Sequence, residues 1–166
     1  MLIALLIPFG VQAFLIILDE YVFHIKRSLP KWERIGHPID TLSVVLCLSL
    51  VQLIPYSKEG LYGYIALAIF SCLLITKDEF VHKHHCLASE QWLHAVLFIN
   101  HPILLTAIGL FWVCLSAEPV PVWLIPVSQH KAVMQSFLRM QTVFASVFML
   151  YQIIYWNFIW KPKEEK

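Results

Sequence analysis

From Met1 to Leu18 the chain carries no charged side chain, and it returns to apolar stretches of that kind four more times. The later runs extend from about Thr41 to Tyr56, Leu61 to Thr76 and Leu97 to Ser116. A final segment runs from about Ala132 to Trp160, of which Met140 to Trp160 is long enough to span a bilayer. A hydrocarbon core of ~30 Å takes about 20 helical residues, so the shorter runs must continue as helix through their polar ends. The first run lacks a basic segment ahead of it and a small-residue cleavage site, and it leads straight into Asp19 and Glu20. It is therefore expected to be a retained transmembrane helix reaching His24. The fold class that follows is an all-α integral membrane protein, a single domain over residues 1–166 with about five transmembrane helices. A hydrophobic share of 59% agrees, against about 45–50% for soluble domains.

A net charge of +1 gives no reason to expect nucleic acid as a partner. Cys47, Cys72, Cys86 and Cys114 lack paired CxxC spacing, and three of them sit in apolar runs, which suits small buried residues better than disulfides or thiolate ligands. Ser57 to Gly60 reads as a tight turn. Pro119, Pro121 and Pro126 make residues 118–130 a non-helical linker at the membrane surface, with Trp123 as an anchor. Basic residues concentrate after the first, third and fifth spans. The positive-inside rule then places those elbows in the cytoplasm and the amino terminus on the opposite side.

The elbows carry the chemistry. Between Asp78 and His101 stand three acids and five of the chain's 8 histidines. The spacing acid-x-x-x-His occurs at Glu20 and His24, Glu33 and His37, Asp78 and His82, and Glu90 and His94. Unbiased placement of 8 histidines and 11 acids in 166 residues gives roughly 0.5 such pairs, so chance is a poor account of four. Surface ion pairing explains any single pair; the set as a whole points to metal ligation. On an ideal helix Asp78, His82 and His85 share one sector, as do Glu90, His94 and His101.

An internal repeat pairs residues 1–56 with 61–116. Asp-Glu-aromatic-Val occurs at Asp19 and Asp78, and His-Pro-Ile at His37 and His101. Two similar hairpins, with the last helix (132–160) added, would bring two ligand sets together in a bundle. Because proline disfavours helical geometry in the residue before it, His37 and His101 are expected at the starts of the returning helices.

The expected metal ligands are Glu20, His24, His37, Asp78, Glu79, His82, His85, Glu90, His94 and His101, with Glu33, Asp40 and Asn157 supporting them from outside. That inventory exceeds what one zinc ion takes and approaches a carboxylate-bridged dinuclear centre in a helix bundle, with iron preferred to zinc as the metal. Histidine-rich elbows between transmembrane hairpins, over residues 1–116, resemble those of the membrane fatty-acid desaturase and hydroxylase class. The likeness is architectural: that class has HxxxH and HxxHH boxes, whereas this chain has His82-Lys83-His84-His85 and no HxxxH. The resemblance implies oxidation of a lipid or isoprenoid, with an electron-donor protein as a further partner. The alternatives are a zinc-dependent membrane hydrolase of a lipid amide or ester, and a non-catalytic metal-binding or structural membrane protein.

Overall fold

The computed structural model describes the backbone of residues 1–27, 29–82 and 87–160, and their side chains except those of Arg27 and residues 78–82. It contains five helices long and apolar enough to cross a membrane. They are α1 (Leu2–His24), α2 (Lys31–Leu53), α3 (Lys58–His82), α4 (Ala88–Ser116) and α5 (Lys131–Ile159). The protein is a multi-pass, all-helical membrane protein, and each helix extends beyond its apolar run into the polar residues at its ends. That extension is what the bilayer requires, since no backbone group inside it can turn to water for a hydrogen bond.

The same requirement corrects one expectation. Pro38 lies inside α2 and Pro102 inside α4, so His37 and His101 are not at helix starts. The helices begin a turn or more earlier, at Lys31 and Ala88, because continuing the helix satisfies more backbone groups than breaking it at proline would. The stretch Ser57 to Gly60 is likewise a helix start rather than a free turn: Ser57 Oγ accepts the Gly60 amide at 3.0 Å and caps α3. Residues 118–130 form the expected irregular connection, with short helical turns at Val122–Leu124 and Ile125–Ser128 that sink Leu124 and Val127 into the core.

Helix α1 packs chiefly on α4, and α2 on α5 and α3. Polar side chains tie these pairs inside the apolar layer. Asn100 Nδ2 on α4 donates to the Pro8 carbonyl and to Gln12 Oε1 on α1, both at 2.9 Å. Gln52 Nε2 on α2 donates to Thr142 Oγ1 on α5 at 2.7 Å. The lipid-facing stripe of α1, Ile3, Ile7, Phe14 and Ile17, is exposed, as suits a helix solvated by acyl chains.

The end of the bundle away from His24, His37 and His94 is closed by Trp112. It is fully buried, its indole N–H donates to the Ile54 carbonyl at 2.7 Å, and its ring meets Tyr56 and Tyr64. Gly60 permits this: a Cβ there would stand 3.0 Å from the tip of the Trp112 ring and 3.1 Å from Ser57 Oγ. Gly60→Val should therefore push the indole out of place and cost about 1–3 kcal/mol. The check is a lower midpoint in denaturant titration of the detergent-solubilised protein.

Candidate metal centre

The last turns of α1 depart from α-helical geometry. Residues Asp19–His24 form a π-helical stretch, in which the chain bonds five residues back instead of four. Asp19 and His24, five apart, are thereby turned to one side, while Glu20 keeps its four-residue spacing to His24. All three are buried. The ends of neighbouring helices supply the remainder. Glu33 and Glu90 stand in the first turns of α2 and α4, where the positive end of the helix dipole favours a carboxylate. His37 and His94 follow one turn later.

These side chains form two groups, each with donor atoms within 4.8 Å of one another: Asp19, His24, Glu90 and His94 in one, and His24, Glu33 and His37 in the other. With His24 shared, six residues are involved, three carboxylates and three imidazoles. Asp19 Oδ2 lies 3.2 Å from both His24 Nε2 and His94 Nε2. The His24 and His37 rings stack with centroids 5.0 Å apart, and His37 Nε2 is 3.9 Å from Glu33 Oε2.

Glu20 takes a different part from the ligand position expected for it. Its Oε1 accepts hydrogen bonds from the Tyr151 hydroxyl and the Trp156 indole, each at 2.8 Å, and its Oε2 faces His24 Nδ1 at 3.1 Å. An ionised carboxylate only accepts, so Nδ1 carries a proton; Nε2 faces Asp19 Oδ2 at 3.2 Å without hydrogen-bond geometry and is the nitrogen free to take a metal ion in place of a proton. That is the arrangement by which a carboxylate orients a metal-binding imidazole. His24 Nε2 and Asp19 Oδ1 are both buried and have no hydrogen-bond partner among the described residues, and unpartnered acceptors in an apolar bundle are costly unless a cation satisfies them. Asp19, Glu20, Glu33 and Glu90 are all buried, a concentration of negative charge that positive ions or protons must offset.

The other expected residues lie elsewhere. His101 is buried two helical turns below His94. Its Nε2 meets Ser71 Oγ at 2.9 Å, and Ser71 Oγ meets Ser43 Oγ at 2.6 Å. Since Ser43 gives its proton to the Asp40 carbonyl, Ser71 donates to Ser43 and accepts from His101, fixing that tautomer. Asp40 Oδ1 is paired with Lys77 Nζ at 2.8 Å. Asn157 is exposed and bonds its own helix, to the Ile153 carbonyl, at 3.0 Å. The side chains of Asp78, Glu79 and His82, and all of His85, lie outside the described residues. Asp19 is absent from the expected ligands because it stands five residues before His24, off the shared sector that an ideal α-helix gives the other acid and histidine pairs. The Asp-Glu doublet at 19–20 was the available signal.

Below the ligand groups a cavity of about 170 Å³ descends into the bundle. Asp19, His24, His37 and His94 stand at one end, and Phe9, Ala13, Val44, Leu48, Ile108 and Ala145 line the other. Phe144, at the rim, is half exposed on the lipid side of α5. The Phe9–Phe137 edge contact, at 4.9 Å between centroids, joins α1 to α5 near the apolar end.

Compared with known proteins, the chain matches no family model, and no curated protein or solved structure shows significant similarity to it. Its identity rests on the arrangement itself: a membrane-embedded helical protein whose buried His, Asp and Glu clusters are capable of coordinating metal ions.

Proposed function

We propose that the chain is a membrane di-metal oxidase, with iron the preferred metal, that hydroxylates or desaturates a lipid or isoprenoid chain. The observation that carries this reading is that two ligand groups share His24 and together border an apolar cavity. Three carboxylates and three imidazoles suit a pair of redox ions better than a single closed structural site, because carboxylates bridge and imidazoles cap. Bound iron would supply the activation of dioxygen. The chain's own residues hold the ions, keep bulk water away by burial, and align an acyl or prenyl chain along Ala13, Val44 and Ala145 with its reacting carbon beside Asp19 and His94. In this reading the ligand end faces the cytoplasm, where an electron-donor protein has access, as in the desaturase and hydroxylase class that the elbows resemble.

The test is reconstitution with ferrous iron in lipid nanodiscs followed by oxygen uptake and mass analysis of the lipid. A product with one added oxygen atom, or with two hydrogens lost, is expected; iron that binds without oxygen uptake counts against the reading. Ala145→Phe, which fills the apolar end of the cavity away from the ligand groups, should abolish turnover while both ions remain bound, as judged by metal content.

One observation favours a second reading. Three of Asp19, His24, Glu90 and His94 would suffice to hold a catalytic zinc ion, leaving its fourth position for water. A zinc-loaded protein that cleaves a lipid amide or ester would have Glu33 or another carboxylate as general base. One zinc ion per chain and no response to oxygen would establish it in place of the first.

A further inference from the structure

The helix end that carries Tyr151 and Trp156 continues as a column of aromatic rings. Tyr151 stacks on Tyr155 with centroids 5.2 Å apart and planes 16° from parallel. Tyr155 meets Trp156 edge-on at 5.1 Å, and Trp156 meets Trp160 at 5.6 Å. Arg34 lies over the Trp160 ring, 4.4 Å from its centroid. A belt of aromatic residues at a membrane boundary accounts for Trp160 and Tyr155. It does not account for Trp156, which is 1% exposed and directs its N–H to a buried carboxylate instead of to headgroups. The π-helical stretch Tyr155–Ile159 is what turns Trp156 inward.

We propose that this column passes single electrons between the metal centre and the protein surface, with Tyr151 as the first carrier. The proposal rests on the di-iron reading. Tyr151 and Trp156 are the residue types that lose one electron most readily, and both donate hydrogen bonds to Glu20 Oε1, whose other oxygen holds His24. Bound iron, once oxidised by dioxygen, would supply the oxidant, and Tyr151 would give up one electron toward it. The phenolic O–H bond breaks, and the proton moves along the existing 2.8 Å hydrogen bond to Glu20. Tyr151, having lost one electron to the metal centre and one proton to Glu20, would become a neutral radical. Tyr151 then takes an electron from Trp156 across the stacked Tyr155 ring and its proton back from Glu20, leaving Trp156 a radical cation; the vacancy moves on to Trp160, where a one-electron reductant refills it. The column thereby provides an entry for electrons, and an exit for oxidising equivalents when no substrate is bound.

The experiment mixes ferrous-loaded protein with oxygen, freezes it at intervals, and records electron paramagnetic resonance alongside the iron oxidation state. A tyrosyl signal is expected, lost in Tyr151→Phe. Because that variant also removes a hydrogen bond from Glu20, ring-fluorinated tyrosine at position 151 is the second variant; it keeps the hydroxyl and must alter the hyperfine splitting. Trp160→Phe, which touches neither Glu20 nor the ligands, should keep the signal but slow its decay severalfold when ascorbate is added. Iron that oxidises without any aromatic radical, a signal unchanged by fluorination, or decay unchanged in Trp160→Phe would overturn the column and leave the di-iron reading standing. A protein that binds no iron would overturn both.

Discussion

Replacing His24 with alanine is expected to strip the protein of both metal ions, whereas replacing His37 or His94 should each weaken chiefly the group it belongs to. The asymmetry comes from geometry: His24 is common to the two groups, and its Nε2 is a buried nitrogen with no hydrogen-bond partner among the described residues. Loss of one outer imidazole leaves the other group its own carboxylate and histidine. His24 has one free nitrogen and ligates one ion; its loss removes that ion directly and, by taking away the donor at which the two groups meet, leaves the buried carboxylates Asp19, Glu33 and Glu90 without the charge balance that holds the second. Metal content after gel filtration, measured by elemental analysis for the three variants in parallel, gives the comparison. Equal losses in all three would mean that the groups are not linked through His24. Unchanged helical content by circular dichroism would separate ligand loss from unfolding.

The second large effect is expected at Glu20, and there two substitutions diverge. Glu20→Leu removes the acceptor for Tyr151, Trp156 and His24 at once. Each buried donor left unsatisfied costs about 1–3 kcal/mol, so a loss of roughly 3 kcal/mol or more is expected. Glu20→Gln keeps the shape, and its carbonyl oxygen still serves Tyr151 and Trp156. Its amide group, however, now presents a donor to His24 Nδ1. The imidazole must respond by accepting at Nδ1 and moving its proton to Nε2, the nitrogen needed for the metal. The glutamine variant should thus retain most of its stability yet bind metal about 10–100-fold more weakly, the loss typical when a partner of a ligating histidine is altered. Denaturant midpoints and chelator competition measure the two quantities separately. A glutamine variant with unaltered metal affinity would mean that Glu20 does not set the tautomer of His24.

The membrane spans were legible because run length and apolarity translate directly into bilayer crossings, and the structure has five helices of that kind. Their bounds were less so. Prolines at 38 and 102 mislead in a sequence read by the habits of soluble proteins, because in a bilayer the helix continues through them. The ligand set was partly legible through the acid-x-x-x-His spacing: His24, Glu33, His37, Glu90 and His94 do converge. Angular arguments failed in two instructive ways. Asp19 and His24 would lie about 140° apart on an ideal α-helix, and only the π-helical stretch aligns them. His101 shares the face of His94 as expected, but seven residues along a helix is about 10 Å, so a common face did not make a common site. The role of Glu20 was hidden because Tyr151 and Trp156, its partners, are more than 130 positions away in sequence.

The central claim is that two ions sit together at the end of the bundle, in two ligand groups that meet at His24. The most direct measurement is Mössbauer spectroscopy of the purified chain loaded with isotopically enriched iron, with total iron counted on the same sample. The account predicts two irons per chain, magnetically coupled in the oxidised state, with the coupled signal absent in His24→Ala. A single isolated iron, or two uncoupled irons that persist in His24→Ala, would contradict it.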